Sequence, residues 1–264
     1  MTDAYVRGVG FWSPGFPSAA AWCSGRPEDG AARPGAALLA GPLGRRATGL
    51  TRLGVEALQQ AASDAKVDVS SVATVWATAH GEHETAVEIL RGLVLGDGRV
   101  SPTKFHNSVY NTAAGYASIA TGNRQPSTTL SGGADLVAMA LLEGLCTLSA
   151  GARNVIVVVL DEPMLPPFDA RGATAPMAAA FCISSGSGAA RACLAGLRRE
   201  EAARVPPRPR FGGLYVSAAL PLLEAVVLGR TTRVALELET GEAQPAWTIG
   251  VSAAGRAAGE IGRA

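Results

Sequence analysis

Apolar residues recur along this chain with two spacings, one helical and one extended, and the two take turns. Between Thr48 and Ala65, Leu50, Leu53, Ala57, Leu58, Ala61 and Ala65 fall on one helical face, which predicts a helix over 48–65. Tyr5–Trp12 and Val72–Ala79 read as strands, the first ended by Ser13-Pro14-Gly15. Glu84–Leu95 predicts a helix with Val87, Leu90 and Val94 on one face, stopped by Gly96-Asp97-Gly98. Asn107–Thr121 predicts another, aligning Val109, Ala113, Tyr116 and Ala120 and closed by Gly122. A strand over 127–130 and a helix over 134–148 follow, with Asp135 in the first turn, where the helix dipole favours a carboxylate.

Val155–Leu160 is apolar at every position. A strand without polar alternation must be covered on both faces, so the fold class is α/β, a mixed sheet with helices on each side. Met177–Ile183 and Ala189–Leu194 then read as a closing hairpin around Ser184–Gly188. Residues 24–44 carry glycines and prolines among scattered charges and predict an irregular excursion. Arg204–Arg210, with three prolines, is the linker candidate, followed by a helix over 214–229 and strands near 233–238 and 246–251. The expected division is a domain over 1–203 and an extension over 204–264 packing on it.

Composition narrows the partners. Of 264 residues, 48% are hydrophobic and 17% charged, with net charge +1, so no broad basic face is available for nucleic acid or an anionic membrane. The longest apolar stretch, Leu214–Gly229, is interrupted by Ser217, Pro221 and Glu224 and is too short to span a bilayer, so no membrane insertion is expected. Cys23, Cys146, Cys182 and Cys193 show neither paired nor metal-type spacing, and Met1–Gly10 lacks a signal-peptide pattern. A cytoplasmic protein without cofactor or metal is expected.

The turn after strand 127–130 carries the most chemical information. A strand-to-helix elbow holds one side chain out at the end of a sheet, beside helix N-terminal amides that stabilise an oxyanion. The residue at this tip is Leu130, which can do no chemistry.

Several stretches share one family pattern: Arg45-Arg46, Ala77-Thr78-Ala79-His80-Gly81-Glu82, Ser101-Pro102-Thr103-Lys104-Phe105, Asn107-Ser108-Val109-Tyr110-Asn111 with Ala114-Gly115, and Asp161-Glu162-Pro163. Together they resemble the N-terminal half of a β-ketoacyl synthase over about residues 5–195. The likeness is greatest to the short chain-length-factor proteins that accompany ketosynthases in aryl-polyene-type pathways. It implies a thiolase-like half of βαβαβαββ type, here with an added C-terminal helix and strands.

By the same resemblance, the active cysteine would stand on the elbow in a Thr-Ala-Cys-like setting, which Thr128-Thr129-Leu130 replaces. A condensing enzyme also needs two histidines from its second half, and no histidine follows His106. Without thiolate or imidazole pair, the resemblance implies no catalytic residue in this chain. What remains is steric: a subunit that walls the far end of a ketosynthase acyl tunnel while the chain grows on an acyl carrier protein. Phe105, His106, Val109, Tyr110, Ala113, Tyr116, Thr129 and Leu130 are then the interface candidates, toward a ketosynthase in a heterodimer or a second copy in a homodimer. A methylene more or less at such a wall is worth about 1 kcal/mol, enough to bias product length severalfold.

Competing readings attach to single motifs. Thr129-x-Ser131-x-Gly133 echoes a hydrolase elbow and nominates Ser131 as nucleophile of an esterase or acyltransferase, with His80 or His106 as base and Asp161 as acid. The alternative for Ser131 is a helix N-cap. His80-Gly81-Glu82-His83 with His106 could ligate a metal but reads better as a hydrogen-bonded loop. Gly8-x-Gly10 lacks the rest of a dinucleotide fingerprint, and Ser184–Gly188 fits a turn better than a phosphate cradle.

Overall fold

The computed structural model describes residues 3–168, 172–240 and 245–253. In chain order the elements are β1 (Ala4–Trp12), α1 (Ala19–Ser24), α2 (Gly41–Arg46), α3 (Gly49–Ala65), β2 (Ala73–Ala77) and α4 (His83–Leu95). There follow α5 (Pro102–Asn107), α6 (Thr112–Thr121), β3 (Ser127–Leu130), α7 (Leu136–Ser149) and β4 (Asn154–Asp161). Then come β5 (Met177–Ser184), β6 (Ala192–Glu200), α8 (Leu220–Val227), β7 (Thr232–Ala235) and β8 (Ala246–Ala253). Short 3₁₀ turns lie at Val69–Ser71 and Tyr215–Ala219.

The eight strands form one sheet in the order β3-β2-β4-β5-β1-β6-β8-β7. β2 lies parallel to both β3 and β4, whereas the remaining pairs are antiparallel. β4 shows why the sheet needs two helical layers. Val155, Val157 and Val159 enter the core beneath α7 and α8, while Ile156, Val158 and Leu160 enter the core beneath α3 and α6. Period-two geometry thus turns an unbroken apolar run into two buried faces.

α3 is capped at both ends. Thr48 Oγ1 accepts from the Thr51 amide at 3.0 Å as N-cap, and Lys66 closes the other end in the left-handed region at φ 53°. Its backbone rides directly on β1. A Cβ on Gly10 would stand 2.0 Å from the Ala57 carbonyl oxygen, and one on Gly8 2.4 Å from the Ala65 nitrogen. Gly8-x-Gly10 is therefore a contact between helix and strand, which only glycine permits.

The structure corrects four local expectations. Met177–Ser184 and Ala192–Glu200 do not pair with one another, because β1 lies between them and bonds to both. The helix expected over 107–121 is two helices with a turn at 108–111 between them. There the Ser108 and Thr112 hydroxyls donate back to the Phe105 and Val109 carbonyls, competing with continuous helix. Asp135 occupies the N-cap of α7 rather than its first turn and makes no side-chain cap bond. The Pro-rich stretch is not a free linker: Arg204 Nε donates to Glu237 Oε2 at 3.1 Å, Arg208 pairs with Glu224 at 2.9 Å, and Val205 bridges to Leu238.

Beyond residue 204, β7 and β8 pair into the same sheet through β6. Residues 254–264 of the expected extension lie outside the described residues.

Candidate functional site

β3 is a short strand at the edge of the sheet, paired among the described residues only on its β2 side, with Thr129 opposite Trp76 and Leu130 opposite Ala77. The chain then turns through Ser131-Gly132-Gly133-Ala134 into α7. Leu130 is half-buried against the core under α7, and its carbonyl accepts from the Thr78 amide at 3.1 Å. A cleft of about 500 Å³ opens here, with Leu130, Ser131, Leu136, Met139, Leu142 and Cys146 among its walls. The elbow is therefore built, and its tip is an aliphatic side chain on an apolar cleft.

Ser131 does not cap α7. Its hydroxyl donates to the Ala79 carbonyl at 3.1 Å, tying the elbow to the end of β2. Among the described residues no hydrogen bond joins Ser131 to a histidine, and the Asp161 carboxyl is already occupied. It accepts from Thr78 Oγ1 at 2.6 Å and from the backbone amides of Ala79 and His80. The geometry holds no Ser-His-Asp relay.

The interface candidates divide into two groups. Phe105, His106, Val109 and Tyr110 stand exposed on α5 and the turn after it, with Phe105 69% accessible. Ala113 and Tyr116 point into the core beneath α3 instead. The Tyr116 hydroxyl donates to Asn107 Oδ1 at 2.9 Å, while Asn107 Nδ2 donates to the Arg46 carbonyl at 2.7 Å. Their part is to hold α5 and α6 against α2, which sets the angle at which the exposed four are presented. Thr129 is half-buried on the edge strand.

α4, beside α5, carries the remainder of this surface. Its apolar positions face outward: Leu90, Val94 and Leu95 are 57%, 77% and 83% accessible, and only His83 is buried. Lys104 on α5 pairs with Glu88 on α4 at 2.9 Å.

A buried acidic cluster lies where α4 begins and β4 ends. Glu82 accepts from Thr48 Oγ1 at 2.7 Å and Thr51 Oγ1 at 2.8 Å, yet burial raises its pKa to about 7. Glu162 is raised further, to about 8, by burial and then by the charges of Glu84 and Glu82. His83 Nε2 accepts from the Leu165 amide at 2.8 Å, so its proton resides on Nδ1, 3.7 Å from Glu162 Oε1. These carboxyls pin the loops at the strand ends. The sequence marked them only as the ends of His80-Gly81-Glu82-His83 and Asp161-Glu162-Pro163. His106 stands apart on α5, and among the described residues no three metal-ligating side chains converge.

A model of the β-ketoacyl synthase N-terminal domain matches residues 20–234. The chain belongs to this family. Among solved structures it is similar to a ketosynthase in complex with its chain length factor from Xenorhabdus doucetiae, at 23% identity and TM-score 0.69, covering 95% of this chain and 100% of the other. A type II polyketide synthase acyl-carrier protein in complex with its ketosynthase bound to the hexaketide gives 14% identity and TM-score 0.74, with 96% and 100% covered. The ishigamide ketosynthase/chain length factor gives 15% and 0.71, with 96% and 99% covered. The search of curated proteins finds no match.

The thiolase-like fold is thus shown for this β-ketoacyl synthase family member, and the likeness covers nearly its whole length. No helix among the described residues is long and apolar enough to cross a membrane.

Proposed function

We propose that this family member is the non-catalytic, chain-length-factor-like partner of a ketosynthase, acting on carrier-protein-bound chains of the aryl-polyene kind in the cytoplasm. The observation that carries the reading is Leu130 at the tip of an otherwise complete β3–α7 elbow. A side chain without a lone pair or an ionisable proton cannot accept an acyl group, yet the elbow keeps its shape and its apolar cleft. Two further features support a partner role. β3 leaves one edge of the sheet unpaired, a ready place for another sheet. Beside the family's interface stretch, α4 and α5 expose a set of large apolar side chains that a solitary protein has reason to cover.

In this reading Phe105, Val109 and Tyr110 reach toward the partner and limit the length of its acyl tunnel, whereas Ala113 and Tyr116 hold them in place. The Ser131 hydrolase gains no support, since its hydroxyl is committed to Ala79 and lacks a base.

The test is co-expression with a ketosynthase encoded beside it, followed by size-exclusion with light scattering and a condensation assay with and without this chain. A heterodimer whose activity or product length depends on this subunit is expected, with Phe105→Ala lengthening the product. A homodimer that leaves the ketosynthase unaffected replaces this role with that of a stand-alone acyl-binding protein. Covalent labelling of Ser131 by a fluorophosphonate would restore the hydrolase.

A further inference from the structure

A second cavity lies on the opposite side of the sheet from the Leu130 cleft. It measures about 530 Å³, within the size range of small-molecule sites. Trp12 from the end of β1 and Leu50 and Leu53 from the first turns of α3 supply apolar wall; all three belong to the core under α3, whereas Leu130 packs against the core under α7. The loop between α1 and α2 contributes Arg33, α3 contributes Arg52, and the end of β4 contributes Glu162.

Two cations on an apolar wall define the chemistry. Among the described residues no carboxylate pairs with Arg33 or Arg52. Arg33 is exposed, and Arg52 is half-buried and steadied by donating to the Gly44 carbonyl. Guanidinium forks without an internal counter-ion suit an oxyanion, and the first turn of α3 adds its positive end at Gly49 and Leu50.

We propose that this cavity binds an amphipathic organic oxyanion, with its apolar body against Trp12, Leu50 and Leu53 and its charged head at Arg33 and Arg52. The site does not depend on the partner role. Glu162 also lines the cavity, with its buried Oε1 turned toward His83 Nδ1 at 3.7 Å. Burial and the neighbouring Glu84, Glu82 and Asp161 raise its pKa to about 8. Raised in this way, the carboxyl presents less negative charge to an oxyanion than an ordinary glutamate would.

Carboxylate and phosphate heads share this chemistry, so the experiment uses 2-naphthoate and 2-naphthyl phosphate, with 2-naphthalenemethanol as the uncharged control. Isothermal titration of the full chain should give saturable single-site binding of at least one oxyanion, and the tighter of the two identifies the head. The alcohol should bind at least about tenfold more weakly, and Arg33→Gln should weaken the oxyanion about tenfold. Arg33 is exposed, so this variant keeps the fold, and an unchanged thermal melt verifies it.

Gly49 lines the cavity, and a Cβ there meets nothing within 4 Å. Gly49→Leu should therefore abolish binding, while Leu90→Ala on the exposed α4 face should leave it unchanged. Affinity should fall above about pH 8 as Glu162 ionises, and Glu162→Gln should remove that fall. Equal binding of the alcohol, no saturable binding, or indifference to both Arg33→Gln and Gly49→Leu would overturn the proposal.

Discussion

α3 and α4 both carry an apolar stripe, and the protein treats them oppositely. On α3, Leu50, Leu53, Leu58 and the alanines between them are buried, down to glycine-mediated contact with β1. On α4, Leu90, Leu93, Val94 and Leu95 stand in solvent at 46% exposure or more. Periodicity specifies that a helix has an apolar side; it does not specify what that side meets. A stripe without an internal partner is a demand that another molecule can fill.

The strongest test of the α3 side is Gly10→Val. Its Cβ would enter the Ala57 carbonyl, and neither the strand nor the helix can move away cheaply. The expected loss is about 4 kcal/mol or more, seen as insoluble protein or a collapsed melting transition. Leu53→Ala, at a position 2% exposed, should cost about 2–5 kcal/mol in urea denaturation. Leu90→Ala, at 57% exposure, should change the isolated chain by no more than about 0.5 kcal/mol. A cost near that of Leu53→Ala would mean that α4 is covered within its own chain. With a ketosynthase bound, the proposed role predicts that Leu90→Ala becomes costly while Leu53→Ala does not change.

The acidic cluster between the two helices adds a pH dependence. Glu82 and Glu162 have folded pKa values raised to about 7 and about 8, above the usual 4.5 of an exposed glutamate. At these two groups the folded chain therefore holds more protons between those limits, and their contribution to stability falls as pH rises from about 4.5 to about 8, then levels. Glu162→Gln should flatten the upper part of that slope in denaturation curves taken across it. Ser131→Ala, which removes one exposed bond to Ala79, should also have a small effect, about 1 kcal/mol or less by thermal melting.

Much of the scaffold was legible because its signals are local. The unbroken run at 155–160, the stripe of α3 and the leucine at the elbow needed only neighbours in sequence to be read. The misreadings involve distant partners. Residues 177–183 and 189–194 read as a hairpin because nothing in either strand reveals that Ala4–Trp12 will come between them. Asn107–Thr121 read as one helix because its apolar spacing continues through the turn, while the side-chain bonds of Ser108 and Thr112 and the pull of Arg46 on Asn107 break it. Tyr116 is an interface candidate by its place in the stretch, and its inward-turned hydroxyl on Asn107 could be read only from the fold. Arg33 was hidden in an excursion without pattern, and only the fold brings it to Trp12 and Glu162.

The place of β1 bears on how the chain is made. Among the described strands it is made first, yet its neighbours β5 and β6 begin at Met177 and Ala192. Until those strands are made, Val6, Val9 and Phe11 have no strand beside them, and only α1, whose Trp22 ring lies 5.3 Å from that of Phe11, and then α3 can shelter part of β1. Nascent chains of this protein should therefore depend on holding chaperones until β5 and β6 emerge, and truncation before Met177 should release an aggregating fragment instead of a smaller domain.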